Sequence, residues 1–147
     1  DTKWIVAGGG PLAEKLSRMT VELDIEDKVI LLGERDDVDR LLKGFDLFVL
    51  TSSAEGLPLS LLEENSTGVP IVATRCDGNP AMLEEGVTGF LADAENMEEY
   101  CEGCRKILST PEALSEFSIN ARNRSEERFS MGRFHKEMNE FYDTVLQ

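Results

Sequence analysis

Positive charge is what this chain lacks most. Lys and Arg number 15 against 29 Asp and Glu, a formal net charge of −14. Nucleic acid and anionic lipid are repelled over most of such a surface. Histidine occurs once and cysteine three times. One His argues against a His-based metal site. An odd Cys count, in a chain large enough to bury its own core, is not a disulfide framework and points to a reducing cytoplasm. Long apolar runs are also missing: none approaches the ~20 residues a spanning helix needs. The opening DTKWIVAGGG has no basic stretch followed by an apolar one and a cleavage site. The expectation is a soluble cytoplasmic domain with no transmembrane segment, no metal, no resident cofactor and no nucleic-acid partner.

What is present suits one globular unit. A length of 147 residues with 41% hydrophobic content predicts a single domain over 1–147 with one core. Lys3 to Ala7 reads as a strand that runs into Gly8, Gly9, Gly10 and Pro11, followed by a helix with Leu12, Leu16, Met19 and Leu23 on one face. A second strand from Val29 to Leu32 stops at Gly33, and Val38, Leu41 and Leu42 mark a short helix. The third strand, Asp46 to Leu50, is almost continuously apolar, as a strand covered on both faces should be. A polar loop from Thr51 to Gly56 leads into a helix from about Pro58 to Thr67, closed by Gly68. Val69 to Thr74 is the fourth strand; Asn79 is the expected N-cap of a short helix from Pro80 to Glu85, and Gly89 to Ala92 is the fifth strand. Three helices follow, the first capped by Asn96 and the second opened by Pro111. Five strands alternating with helices predict an α/β, Rossmann-like, doubly wound parallel sheet with helices on both faces and a C-terminal helical extension. Ligands of such sheets bind at the carboxyl ends of the strands.

Two constellations lie there. Gly8, Gly10 and Ala13 satisfy G-x-G-x-x-[GA] between a strand and a helix, and Glu34 follows the second strand. This permits an NAD-type dinucleotide-binding reading. Pro11 stiffens the turn and Glu34 lies further from Gly8 than the usual spacing of about 20. A tight turn with close helix packing explains the glycines equally well. The second constellation is Glu55 in a loop and Glu63 on the helix that follows, with Gly56, Leu57, Pro58 and Leu59 between them. Backbone N–H groups at a helix start favour an anion such as a diphosphate. The two carboxylates can accept hydrogen bonds from ribose and sugar hydroxyls. Both read equally well as surface acids in an acidic chain.

The run EGLPLSLLEENSTGVPIVATRCDGNPAMLEEGVTGFLADAEN resembles the C-terminal, sugar-donor-binding domain of family 4 glycosyltransferases, which have the GT-B fold. IVAGGGPL, VILLGERDDVDRLLKGFDLFVLTS and FSMGRFHKEMNEFYDTVL are similar landmarks in the same order along almost the whole chain. The resemblance implies metal-independent, retaining transfer of a sugar from a UDP- or GDP-sugar. It implies that Glu63 holds the donor ribose and that Glu55, as the catalytic residue, contacts the transferred sugar. Gly56, Leu57, Pro58 and Leu59 would place amides near the phosphates and sugar, and the loop Glu34 to Asp37, Arg35 in particular, matches the stretch that lies against the nucleobase; Gly8 and Gly10 are also expected to bind the donor. The sequence departs from the family's pattern in lacking an earlier strand–helix unit with an Arg and a Lys that grip the diphosphate, and in lacking the N-terminal acceptor domain. The expectation is a fragment that does not turn over alone, with the acceptor bound by the absent domain. The absent strand is central in the family, so the strands at Lys3–Ala7 and Asp46–Leu50 either pair directly or have the gap filled from elsewhere. Ser60 and Pro58 also replace the family's common proline and glycine.

Other residues carry bland expectations. Cys101 and Cys104 share a helix face with Met97 and Leu108 and are expected in the core. Cys76 is expected as a half-buried filler or a lining residue of the cleft. His135 is expected on the exposed side of a helix whose apolar face is Phe134, Met138, Phe141 and Val145. Arg75, after the fourth strand, is a possible phosphate contact, with an exposed surface arginine as the alternative. A non-catalytic nucleotide-binding or interaction module is the rival to the enzyme reading.

Overall fold

A computed structural model describes residues 2–146. The chain divides into two compact units, Asp1–Val38 and Asp39–Gln147. The first unit is a strand–helix–strand arrangement: β1 (Trp4–Ala7), α1 (Ala13–Glu22) and β2 (Val29–Gly33). β1 and β2 are parallel, with Trp4 opposite Val29 and Val6 opposite Leu31 before the register shifts towards Ala7 and Gly33. Parallel strands cannot be joined by a hairpin, so α1 makes the crossover. All four residues of β1 are exposed, and no apolar residue of this unit's described part is buried.

The second unit follows α2 (Val38–Leu42) with β3 (Phe48–Leu50), α3 (Leu59–Thr67), β4 (Ile71–Thr74), α4 (Asn79–Met82), β5 (Gly89–Ala92), α5 (Met97–Ile107), α6 (Pro111–Arg128) and α7 (Met131–Val145). Its sheet is parallel in the order β3-β4-β5. The five expected strands are thus all present and parallel, but they form a two-stranded and a three-stranded sheet instead of one.

β4 is central and wholly buried, and its period-2 alternation splits the core in two. Ile71 and Ala73 pack with Leu61 of α3 and Met82 of α4 on one face. Val72 faces the other way and packs with Tyr100 and Ile107 of α5. A polar contact pins the carboxyl end of β4. The Thr74 hydroxyl donates to the Leu50 carbonyl (3.2 Å), leaving the Tyr100 hydroxyl to donate to Thr74 Oγ1 (2.6 Å).

Helix ends follow the expected chemistry at three places. The Asn96 side chain accepts the Glu99 N–H, Pro111 opens α6 behind the cap Thr110, and Gly68 closes α3 through N–H bonds to Asn65 and Glu64 carbonyls. Two local expectations are corrected. Asn79 is not an N-cap: it lies inside α4, fully buried, and its Nδ2 donates to the Thr74 carbonyl (2.8 Å). Cys101 is exposed and Cys104 half-buried, because Tyr100, Gly103 and Ile107 form the interior stripe of α5. Phe134, Phe141 and Val145 of α7 are exposed. Among the described residues no helix is long and apolar enough to cross a membrane.

Candidate functional site

In the first unit the chain leaves β1 through Gly8 and Gly10, both at φ +144°, a backbone region that disfavours any side chain. The Gly8 N–H donates to the Gly33 carbonyl (2.7 Å), so this amide belongs to the strand pairing and not to a ligand. A Cβ on Gly9 would lie 3.6 Å from Glu34 Cβ, so the glycine turn and Glu34 are neighbours. Arg35 donates twice to the Asp37 carboxylate (2.8 and 2.6 Å), and these hydrogen bonds hold that carboxyl below the usual range.

In the second unit, Glu55 and Glu63 bracket the start of α3, Glu55 half-buried and Glu63 exposed. Pro58 is the N-cap residue with φ −73° and ψ 100°, and no side chain caps this end. Leu61 N–H turns back to the Pro58 carbonyl (3.1 Å). The amides of Gly56, Leu57, Leu59 and Ser60 donate to no backbone acceptor among the described residues. A helix start with uncommitted amides and no side-chain cap carries a partial positive charge, which is what an anion requires. Leu57 and Leu59 are exposed, Pro58 is buried, and Glu63 sits in the second turn, one helical face away from the core residue Leu61.

The turn after β4 holds this loop. The Glu55 N–H donates to Asp77 Oδ2 (2.8 Å), and Cys76 Sγ lies 3.6 Å from the Ser52 carbonyl. Gly78 leaves no space for a Cβ because the Gly56 carbonyl oxygen occupies it. Asn79 ties the turn to the end of β4. Cys76 is half-buried, and burial, then the Asp77 and Glu55 carboxylates, push its thiol up, away from the thiolate form. Asp77 and Gly78 were not foreseen: their partners lie about 22 positions back in the sequence, and only the Gly-Asn-Pro turn signal marked the place.

Arg75 is committed elsewhere. Its guanidinium donates to both Glu85 carboxylate oxygens (3.2 and 3.0 Å) and to the Leu91 carbonyl (3.3 Å), with Asp93 at 3.5 Å. The hydrogen bonds from Arg75 hold Glu85 below its ordinary range. Arg75 can reach a phosphate only by giving up these partners. Glu64, beside Glu63, is the other unforeseen group. It is 1% exposed, its Oε2 has no hydrogen-bond partner, and burial, then the neighbouring Glu63, push its carboxyl up to about 8. Among the described residues no group of three or more His, Cys, Asp or Glu is arranged to hold a metal ion.

The chain is similar to known proteins over most of its length. The family described as "Glycosyl transferases group 1" matches residues 1–124. N-acetyl-alpha-D-glucosaminyl L-malate synthase of Bacillus anthracis is 31% identical over 147 residues, covering 100% of this chain and 39% of the relative. The UDP-Gal:alpha-D-GlcNAc-diphosphoundecaprenol alpha-1,3-galactosyltransferase of Escherichia coli is 30% identical over 125 residues, covering 84% of this chain and 32% of the relative. The chain therefore spans about a third of these relatives' length. Among solved structures, Anabaena HepE in complex with UDP superposes with a TM-score of 0.88 at 23% identity, over 97% of this chain and 41% of that one. An S. aureus TarM mutant in complex with UDP superposes with a TM-score of 0.85 at 26% identity, over 93% of this chain and 28% of that one. These are GT-B glycosyltransferase structures, and the α/β fold with its helical C-terminal extension matches them.

Proposed function

Because the chain belongs to the group 1 glycosyl transferases, we propose that it is the sugar-donor-binding domain of a family 4, retaining, metal-independent enzyme. The full-length protein transfers a sugar from a UDP- or GDP-sugar to an acceptor held by a domain outside this chain. The observation that carries the reading is the start of α3, where the uncommitted amides from Gly56 to Ser60 stand between two carboxylates, Glu55 and Glu63. HepE and TarM, the structural neighbours, were solved with UDP. A diphosphate fits the amides by charge and by hydrogen bonding.

Each residue has a role in this scheme. Glu63 accepts from the ribose hydroxyls, and Glu55 accepts from the transferred sugar and faces the positive charge that develops at its anomeric carbon. The bond from that carbon to the diphosphate oxygen breaks and a bond from it to the acceptor's nucleophilic atom forms, while negative charge, and then the acceptor's proton, pass to the leaving diphosphate. The amides of Gly56, Leu57 and Leu59 stabilise that charge more than they stabilise the ground state. Pro58 contributes the turn and no N–H. Arg75, already neutralised by Glu85 and Asp93, is a secondary phosphate contact at most.

Ligand-observed NMR of the chain with UDP, GDP, ADP and NAD in turn, repeated with Glu63→Ala, tests the reading. A UDP or GDP signal that disappears in the variant is expected. An NAD signal alone, unaffected by Glu63→Ala, overturns it in favour of the Gly8–Gly10–Ala13 turn.

A further inference from the structure

Asp77 belongs to no expected constellation, yet it makes the hydrogen bond that holds the Glu55 backbone. Its Oδ2 accepts the Glu55 N–H at 2.8 Å across a separation of 22 residues. The turn that carries it is itself fixed. The Cys76 N–H donates to the Thr74 carbonyl (2.9 Å), the Asn79 N–H to the Cys76 carbonyl (3.0 Å), and buried Asn79 Nδ2 to the Thr74 carbonyl (2.8 Å). All three anchor at or beyond the end of β4, the fully buried strand. Asp77 sits at φ +40°, where Asp is tolerated and most side chains are strained. The next residue, Gly78, lies so close to the Gly56 carbonyl that no side chain fits. The turn thus grips Glu55 and Gly56 from two sides, one polar and one steric.

We propose that Asp77 is a positioning residue for Glu55, resting on the reading of Glu55 as the group that contacts the transferred sugar. A carboxylate accepting a backbone N–H makes a charge-assisted hydrogen bond, stronger than its neutral counterpart. It fixes the Glu55 φ axis and hence the direction of its side chain. Glu55 lies in a loop with no strand or helix to orient it, so without this contact it samples directions that miss the sugar. Small misplacements at a reacting centre cost rate more than binding. Donor affinity, held by Glu63 and the α3 amides, stays almost unchanged when Asp77 is altered.

Two substitutions separate the hydrogen bond from the backbone. Asp77→Gly removes the acceptor without strain at positive φ. Asp77→Asn keeps an oxygen acceptor and tolerates the same φ. In the chain itself, hydrogen exchange of the Glu55 amide is expected to accelerate at least tenfold in Asp77→Gly and to stay near wild type in Asp77→Asn. In the full-length protein with its nucleotide-sugar, Asp77→Gly is expected to lower kcat about tenfold or more with donor KM within about threefold, and Asp77→Asn to restore most of the rate. Unchanged Glu55 exchange in Asp77→Gly overturns the proposal. So does faster exchange with unchanged kcat, provided Glu55→Gln itself abolishes transfer. If Glu55→Gln transfers normally, the reading of Glu55 fails and the positioning role falls with it.

Discussion

Glu64→Gln is the substitution whose outcome is most tightly set by the structure. Glu64 occupies the interior face of α3 between Leu61 and Asn65, both with no exposed surface. Its Oε2 has no partner, so the ionised form is unsupported and the carboxyl is held neutral, with a pKa raised from 4.5 to about 8. An acid whose folded pKa lies above its unfolded value contributes stability that is fully present below the unfolded pKa. That contribution is lost as pH rises through the folded pKa. The window is therefore 4.5 to about 8. At ~1.4 kcal/mol per unit the span sets a ceiling of about 5 kcal/mol, which water entry and relaxation in a small unit reduce to about 2–3 kcal/mol. Glutamine has the same shape and does not ionise. Urea unfolding of both proteins between about pH 5 and pH 9 cancels the titration of every group they share. The stability of Glu64→Gln relative to wild type should rise through this range by about 2–3 kcal/mol and level off above about pH 8. A difference that stays constant with pH would refute the burial argument.

Further outcomes follow from single contacts. Gly78→Ala drives a Cβ into the Gly56 carbonyl, a backbone atom that cannot turn aside; a loss of about 1–3 kcal/mol is expected by chemical denaturation. Tyr100→Phe removes the hydroxyl that donates to Thr74 but leaves Thr74 its own bond to Leu50, so a loss of about 1 kcal/mol is expected by the same method. Asn96→Ala deletes the side-chain acceptor for the Glu99 N–H and should cost about 1 kcal/mol of stability. Cys101 is exposed, whereas Cys104 is half-buried with its thiol pushed up by burial and then by Cys101. Mass-spectrometric mapping after brief alkylation should find Cys101 labelled well before Cys104.

Local signals made most elements legible. Pro111 and Gly68, with the cap Asn96, bound their helices because each acts within a few residues. The apolar run before Thr74 became a buried central strand, whereas the run at Asp46 to Leu50, expected to be covered on both faces, is only half-buried as β3. The misses are tertiary. Asn79 reads as a cap, since a short polar residue before Pro80 usually is one, but its amide is drawn inward to the Thr74 carbonyl. The stripe of α5 was displaced by one position: Gly103 sits against Val72 and Phe90, and this close approach leaves Cys101 outside. Period-2 and period-3.6 patterns say which faces are apolar, and they do not say that five strands will divide into sheets of two and three. At the candidate site, Glu55, Glu63 and the α3 start came from motif and spacing. Asp77 could not, because a hydrogen bond between two loops leaves no periodic trace. Glu64 contradicts the pattern outright, a charged residue type at an interior position.

In the proposed function the start of α3 receives the diphosphate of a nucleotide-sugar. Amide chemical-shift mapping of the labelled chain on addition of UDP tests it most directly. The largest shifts are expected on Gly56, Leu57, Leu59 and Ser60, with Glu63→Ala weakening the titration without moving the pattern. Shifts that bypass these amides, or a pattern insensitive to Glu63, would contradict it.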